Sequence, residues 1–202
     1  MFSHPPALLK QLYPSLVWEI ETSKKEVFIT FDDGPTVGVT DKVLDLLKQF
    51  NANATFFCLG KNIKRHPFLK DRILVEGHKI GNHTYNHLNG WKSSTVEYSK
   101  DTQLFEEEYH SALFRPPYGK IKRSQIAAIK KKYRIIMWSI LSMDYNKSIS
   151  PEECKAICLK KLQLGSIVVF HDSKKAEKNM LFALKGLLKY CQNQGIKCSV
   201  IE

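Results

Sequence analysis

Two adjacent carboxylates are the first residues in the chain whose types and spacing suggest chemistry. Asp32 and Asp33 close an apolar run, and Gly34-Pro35 then turns the chain away. Paired carboxylates repel each other unless a cation or another partner offsets their charge. A solvated turn is the structural alternative, because Asp-Gly-Pro sequences form turns readily. The pair predicts part of a cation site only if other ligands lie nearby.

Two histidines four residues apart supply such ligands. The spacing of His83 and His87 predicts that both imidazoles lie on one side of a helical turn, where they can share one metal ion. Surface histidines also reach this spacing by chance, so the pair is informative mainly together with the acids. Two imidazoles and one carboxylate leave coordination positions open for water and substrate, as catalytic metal sites do.

Two further polar segments follow apolar runs. Arg115 begins the stiff Arg-Pro-Pro-Tyr-Gly segment, whose rigidity suits a preorganised backbone N–H donor; a rigid loop with Arg115 on the surface is the alternative. His171-Asp172 follows the unbroken apolar run 167–170, which predicts a buried strand. His171 is either a hydrogen-bonded core residue or a general acid that works near neutral pH.

The elements that must position these groups are short β-rich runs alternating with helical patterns, which is typical of βα units around a parallel sheet. Seven strands are predicted, over Val27–Phe31, Ala54–Cys58, Lys79–Asn82, Ala112–Phe114, Arg134–Trp138, Ser166–Phe170 and Lys197–Ile201. Helices are predicted over Thr40–Phe50, His66–Glu76, Thr95–His110, Ser124–Lys132, Pro151–Leu162 and Ala176–Gln192. Thr40 and Ser150 are the predicted N-caps of two of them. Because the carboxyl ends of parallel strands meet at one face, we expect the four polar groups to converge there.

The composition fits one folded domain and excludes several functional classes. The chain has 202 residues, of which 43% are hydrophobic and 11% aromatic. Five cysteines, an odd number without tight spacing, argue against a disulfide framework and predict buried thiols. The formal net charge of +11 favours an anionic partner, such as an acidic wall polymer, but a solvated lysine-rich surface is the preferred explanation. The lysines lack interleaved aromatics, so we expect no nucleic-acid binding.

The N-terminal segment and the hydropathy pattern bear on location. Residues 1–20 contain three prolines and Lys10, so they lack the apolar core of a signal peptide. Since no stretch reaches the roughly 18 to 20 apolar residues of a membrane helix, we expect no stable membrane insertion. The sequence predicts a cytoplasmic protein, with a cell-envelope location left open if a leader is removed. It assigns no oligomeric state.

The order of these motifs resembles the polysaccharide deacetylases of carbohydrate esterase family 4, the NodB homology domain, from about Val27 to the C-terminus. The resemblance implies a single-domain α/β fold, a deformed (β/α)7 barrel similar to a TIM barrel, over residues 26–202. Residues 1–25 are predicted to be an extended lead-in packed on the barrel. The implied activity is that of a metal-dependent hydrolase of non-peptide carbon–nitrogen bonds. It would remove N-acetyl groups from a peptidoglycan, a chitin-like polymer or another N-acetylglucosamine-containing glycan.

The resemblance also implies a role for each polar residue. Asp32 would be the general base, and Asp33, His83 and His87 would bind one divalent ion, zinc first, with cobalt, nickel or manganese as alternatives. Arg115 would orient the base, and His171 would be the general acid. The backbone N–H of Tyr118, in the segment with Pro117, would help to stabilise the oxyanion.

The chain departs from the family pattern in two places. The fourth motif reads Trp138-Ser139-Ile140-Leu141-Ser142-Met143-Asp144-Tyr145, without the usual acids at 139 and 141. Asp144 is predicted to pair with Arg115 or His171, and Tyr145 to replace a tryptophan as a hydrophobic wall. Val169 stands where leucine is usual, in a wall near the acetyl group. Two other functions remain open: removal of O-acetyl groups from a polysaccharide, and glycan binding without catalysis.

Overall fold

A computed structural model describes residues 3–202, in which helices and strands alternate along most of the chain. The helices are α1 (Ala7–Leu12), α2 (Thr40–Gln49), α3 (Gly60–Arg65), α4 (Pro67–Val75), α5 (Thr95–Leu104), α6 (Arg123–Ile129), α7 (Pro151–Lys160) and α8 (Glu177–Gln194). The strands are β1 (Glu26–Asp32), β2 (Ala54–Cys58), β3 (Lys79–Asn82), β4 (Leu113–Phe114), β5 (Arg134–Ile135), β6 (Ile140–Leu141), β7 (Ile167–His171) and β8 (Lys197–Cys198).

Seven of the strands form one parallel half-barrel in the order β5-β4-β3-β2-β1-β7-β6, and β8 pairs with the start of β1. The pairing of Asp32 with Phe57 of β2 and with His171 of β7 fixes the register at the centre of the sheet. The carboxyl ends of the strands therefore meet at one edge. This architecture confirms the predicted single-domain, deformed (β/α)7 barrel.

The central strands are buried on both faces, which explains their unbroken apolar sequences. Phe31 of β1 stacks on Phe56 of β2 and on Phe170 of β7, with ring centroids 4.9 and 5.9 Å apart. Helices α7 and α8 pack on each other and contribute apolar side chains to the same cluster. The rigid centre formed in this way carries Asp32 and His171 at its edge.

The fourth-motif region differs from the prediction of one strand over Arg134–Trp138. The N–H of Ile136 still donates to Phe114 O of β4, but the groups that follow have other partners, so β5 ends at Ile135. Met137 N–H donates to Val17 O, and the carbonyls of Ile136 and Met137 accept from Arg115. A separate strand β6, which the sequence analysis did not predict, then pairs with β7. The observed last strand, β8, is shorter than predicted: it ends at Cys198 rather than at Ile201.

The lead-in is not extended throughout. Residues 7–12 form helix α1, and Leu16 and Trp18 are buried. Val17 pairs with Ile136, and Glu19 pairs with Ser166, so the segment bridges β5 and the start of β7. Met1 and Phe2, the start of the predicted lead-in, lie outside the described residues. The domain boundary at residues 25–26 stays a prediction.

The observed helix boundaries agree with some of the predicted capping residues and helix ends and differ from others. Ser150 caps α7 through a capping box with Glu153, as predicted. Thr40 is not an N-cap: it is the first residue of α2, and its hydroxyl donates to Asp172. The predicted long helix from Thr95 ends at Leu104 and continues as a 3₁₀ turn. The five cysteines are free and buried, as predicted.

Candidate active site

The side chains of the adjacent residues Asp32 and Asp33 point in different directions at the end of β1. Asp32 is the last residue of the strand and is 5% exposed, whereas Asp33 has φ = 79° and begins the turn. A side chain at Gly34 would overlap the Asp172 carboxylate, so only glycine fits there. Asn62 Nδ2 donates to Asp33 O at 2.8 Å and holds the turn. The positive φ thus points two adjacent carboxylates at different partners.

Asp33, His83 and His87 form a cluster that fits a metal ion. One ligand atom from each lies within 4.8 Å of the others, and Asp33 Oδ1 is 3.7 Å from His83 Nε2 and 3.0 Å from His87 Nε2. Within residues 3–202 that buried oxygen has no hydrogen bond of adequate geometry. A buried carboxylate oxygen that faces two imidazole nitrogens, without a well-aligned hydrogen bond, is part of the donor set expected around a divalent cation.

The hydrogen bonds and pKa values of this cluster agree with metal binding. His83 Nδ1 lies 2.8 Å from Arg115 O, so it carries the proton and leaves Nε2 free as a ligand. Burial lowers the pKa of His83 to about 4, which keeps the imidazole neutral at pH 7. Burial raises the pKa of Asp33, but His87 and the other nearby imidazoles outweigh it and hold that pKa below the usual value.

The predicted helical turn from His83 to His87 is wrong. The residues from 83 to 89 form an irregular loop, in which Thr84 and His87 have φ values of 63° and 66°. Asp101 of α5 holds this loop, because its carboxylate accepts from the backbone N–H groups of Tyr85 and Asn86 and from Asn86 Nδ2. The imidazoles are nevertheless close, with ring centroids 5.2 Å apart. Tertiary hydrogen bonds rather than helical periodicity bring them together.

Arg115 lies in the protein interior rather than on the surface. It is fully buried, and its Nη1 donates to Asp32 Oδ1 and Thr30 Oγ1, each at 2.7 Å. Its other nitrogens donate to the carbonyls of Ile136 and Met137, and the guanidinium lies 4.1 Å from the ring centroid of Phe57. Burial lowers the pKa of Arg115, and Asp32 opposes that shift. Arg115 therefore fixes the Asp32 carboxylate beside the metal cluster.

Asp144 pairs with His171 and not with Arg115. Asp144 Oδ1 lies 2.8 Å from His171 Nδ1, and Oδ2 accepts from the His171 backbone N–H at 2.7 Å. Burial lowers the pKa of His171, but Asp144 outweighs it and raises that pKa to about 9. The imidazole is consequently protonated at pH 7, with Nε2–H available to act as a proton donor.

A cleft of about 340 Å³ joins these groups at the carboxyl edge of the sheet. Tyr118 has φ = 60°, is 46% exposed, and its ring lies 4.5 Å from that of His87. Pro117 is buried and is not part of the cleft wall. Tyr145 stands edge-on to His171 at 5.0 Å. The cleft is lined by Asp32, Asp33, His83, His87, Tyr118, Gly119, Trp138, Leu141, Tyr145, Val169, His171, Ser173 and Lys175.

Known proteins share both this sequence and this fold. The family model for polysaccharide deacetylase matches residues 19–134. The chain belongs to the polysaccharide deacetylase family. A peptidoglycan-N-acetylglucosamine deacetylase of Bacillus cereus is 36% identical over 94% of this chain and 93% of its own length. The enzyme PgdA of Listeria monocytogenes, with the same activity in its name, is 36% identical over 96% of this chain but only 42% of its own length.

A solved structure agrees with the assignment to the polysaccharide deacetylases. The crystal structure of the Bc1960 peptidoglycan N-acetylglucosamine deacetylase covers 98% of this chain and 95% of its own chain. Its TM-score is 0.88 at 32% sequence identity. The predicted family, fold and class of hydrolase are thereby confirmed.

Within residues 3–202, no helix is long and apolar enough to cross a membrane.

Several residues that support this polysaccharide deacetylase site were missed by sequence reasoning. They are polar groups in otherwise ordinary helices and strands, so no local pattern marked them. Thr30 stands between apolar residues of β1, and Asp101 is one of many polar residues in α5. Their roles depend on partners 85 and 15 or more residues away in sequence. Lys175 is also a cleft residue that the sequence analysis did not single out.

Proposed function

We propose that this chain is a metal-dependent deacetylase that removes N-acetyl groups from N-acetylglucosamine units of a glycan such as peptidoglycan. One observation carries the proposal: Asp32, fixed by the buried Arg115, lies beside the Asp33–His83–His87 cluster in a single cleft. This arrangement offers a proton acceptor, three metal ligands and open space for substrate in one place.

Zinc is the first metal proposed, because two imidazoles and one carboxylate with an open position are typical of catalytic zinc sites. Cobalt, nickel and manganese accept the same ligand types and are the alternatives. When bound by Asp33, His83 and His87, the ion would polarise the acetamide carbonyl and lower the pKa of a water molecule. Proton transfer and stabilisation of the oxyanion are proposed for residues of the chain itself.

Asp32 is proposed as the general base. Its carboxylate is held on one side by Arg115, so its orientation is fixed before substrate arrives. It accepts the proton of the water that attacks the acetamide carbon. The Tyr118 backbone N–H lies on the positive-φ turn at the cleft and donates to the oxyanion that develops on the carbonyl oxygen.

His171 is proposed as the general acid on the other side of the cleft. Its pKa of about 9 keeps it protonated at neutral pH, and Asp144 binds Nδ1, so the proton of Nε2 faces the reaction. Donation of that proton to the leaving nitrogen breaks the carbon–nitrogen bond, and acetate and a free amino sugar result. Tyr145 and Val169 line the cleft as apolar surface for the sugar and the acetyl methyl group.

Two observations bear on the alternatives. Ester and amide carbonyls respond alike to a metal and a base, so removal of O-acetyl groups is a second candidate. The names of the relatives favour the N-acetyl substrate. Glycan binding without catalysis is a third candidate, but binding alone requires neither a proton acceptor fixed by a buried arginine nor a protonated His171.

Parallel acetate-release assays test the proposal. Protein stripped of metal and reloaded with zinc should release acetate from N-acetylglucosamine oligomers and from peptidoglycan, and chelation should abolish release. Faster release from acetylxylan than from either N-acetyl substrate would favour the esterase. Glycan binding that is unchanged by chelation, without turnover, would favour the binding protein. No acetate release from any glycan, acetylated amine or ester by correctly loaded protein would refute the proposal.

A further inference from the structure

Glu106 is a largely buried carboxylate that the proposed chemistry does not use. It lies in the 3₁₀ turn after α5, and its side chain is 9% exposed. Its Oε2 lies 2.9 Å from His110 Nδ1 and 3.0 Å from Lys132 Nζ, and its Oε1 accepts from the Tyr133 hydroxyl at 2.6 Å. Burial raises the pKa of Glu106, but the hydrogen bonds from His110 and the other two donors outweigh it and lower that pKa below its usual value. The carboxylate is therefore ionised at pH 7 and acts only as an acceptor.

The hydroxyl of Tyr133 connects Glu106 to Asn82. Tyr133 is 5% exposed, and its ring centroid lies 5.7 Å from that of Phe114. Because the hydroxyl proton is donated to Glu106, the phenolic oxygen is free to accept, and Asn82 Nδ2 donates to it at 3.2 Å. Asn82 Nδ2 also donates to Thr102 O at 2.9 Å. Both N–H bonds of the amide thus have acceptors.

The orientation of the Asn82 amide decides what its oxygen binds. With Nδ2 facing two acceptors, Oδ1 faces the backbone N–H of Thr84 and accepts from it at 2.8 Å. Asn82 and Thr84 are fully buried, so water does not compete for this bond. Thr84 has φ = 63°, an uncommon conformation for a β-branched residue. The Asn82 oxygen therefore holds the backbone in that conformation directly after His83.

We infer that Glu106 and Tyr133 are positioning residues for the irregular loop of residues 83–89, which carries both histidine ligands that the proposed function requires. Glu106 fixes the direction of the Tyr133 hydroxyl, and that hydroxyl supplies the second acceptor for the Asn82 amide. Asn82 in turn holds the loop backbone between the two imidazoles. Neither Glu106 nor Tyr133 lines the cleft, so both act on the metal cluster only through the loop.

Amide hydrogen exchange in the metal-free protein tests this inference. Thr84 N–H should exchange roughly three- to tenfold faster in Tyr133→Phe, because the buried Asn82 amide loses an acceptor and is held less firmly. The Thr84 rate is compared with the rates of the β1 amides, which report opening of the whole domain. The matched control is Tyr98→Phe. The Tyr98 ring is also buried and also contacts Phe114, but within residues 3–202 its hydroxyl has no hydrogen-bond partner. This control should leave Thr84 exchange within twofold.

A double-variant cycle tests the route of the effect. Glu106→Gln should accelerate Thr84 exchange in the wild-type background and add nothing in Tyr133→Phe, because Glu106 acts on the loop through the hydroxyl. Glu107→Gln, at the exposed neighbouring position, should leave the exchange rate unchanged. An equal effect of Glu106→Gln with and without the Tyr133 hydroxyl would overturn the inference.

Zinc affinity gives a second readout. Tyr133→Phe should raise the zinc Kd roughly three- to tenfold, and excess zinc should restore acetate release. Thr84 exchange that is unchanged in Tyr133→Phe relative to β1, or accelerated equally in Tyr98→Phe, would overturn the inference. Because exchange is measured without metal, a wild type that neither binds zinc nor releases acetate would refute the proposed function and leave the exchange test intact.

Discussion

At the scale of single residues, the site depends on two pairs that orient its groups, and one of them also sets the protonation of His171. Arg115 holds Asp32, and Asp144 holds His171. Both pairs satisfy the rule that a buried charge requires a partner and further hydrogen bonds. Each pair therefore has a separate effect that substitution can reveal.

The Asp144–His171 pair predicts the pH dependence of activity. The pKa of His171 is raised to about 9, so this proposed general acid is protonated below that value and activity should fall as pH rises through it. In Asp144→Asn the stabilising charge is lost while burial still lowers the pKa. The falling limb of kcat/KM against pH should then move down by more than one unit. A limb that stays near pH 9 in the variant would contradict the assignment.

Arg115→Lys should damage both activity and stability. Lysine cannot donate at once to Asp32, Thr30 and the carbonyls of Ile136 and Met137, so buried acceptors lose partners. We expect the free energy of unfolding, measured in denaturant, to fall by about 2 to 4 kcal/mol. We also expect kcat to fall about a hundredfold. Arg123→Lys, at an exposed residue, is the matched control. Wild-type kcat in Arg115→Lys would show that the guanidinium does not position the base.

At the scale of elements, the loop between β3 and α5 is the part of the site that depends most on tertiary contacts. Its positive-φ residues Thr84 and His87 are held by polar side chains from neighbouring elements. Asp101 accepts three of those hydrogen bonds from a buried position. The two histidines proposed as metal ligands are consequently positioned by α5, which itself contributes no proposed ligand.

Asp101→Asn should weaken metal binding without touching a ligand. The amide replaces an acceptor with a donor that faces the N–H groups of Tyr85 and Asn86, so the loop must shift. Substitution of residues that hydrogen-bond around metal ligands commonly weakens metal affinity 10- to 100-fold. We therefore expect the zinc Kd of Asp101→Asn to rise by a factor in that range. Excess zinc should restore much of the activity. Asp71→Asn, at an exposed residue of α4, is the control, and an unchanged Kd in Asp101→Asn would contradict this role.

At the scale of the whole molecule, metal binding should be coupled to folding, because the three ligands come from the ends of β1 and β3 and from the loop beyond. Free zinc at a hundred times Kd should stabilise the protein by about 2.7 kcal/mol. For a chain of this size that corresponds to a rise in Tm of about 5 to 10 °C. Calorimetry should show the rise in the wild type and its loss in His83→Ala. A Tm unaffected by zinc would contradict the proposed ligand set.

The sequence predicted the barrel, and it marked the residues of the proposed reaction centre, because both follow from local patterns. The apolar runs of β1, β2 and β7 have the lengths and flanking turns of buried strands, and Asp32, Asp33 and His171 lie directly at their ends. The route from Arg134 to Leu141 was not predictable in the same way. Its backbone partners are Arg115 and the lead-in, which lie far away in sequence.

The irregular histidine loop was mispredicted for a related reason. A spacing of four residues fits a helix, but Thr84 and His87 adopt positive φ because Asp101 and Asn82 bind the loop backbone. Neither partner is marked by spacing or composition. The sequence could therefore mark the proposed ligands but not predict the loop that carries the two histidines.

The most direct test of the account is acetate release by Asp32→Asn compared with wild type, both loaded with zinc and given N-acetylglucosamine oligomers. Because Asp32 is proposed to accept the proton of water and not to bind the metal, the variant should keep its zinc Kd and lose about 10²- to 10⁴-fold in kcat. A variant that binds zinc normally and retains kcat within a few-fold of wild type would contradict the assignment of Asp32 as the base.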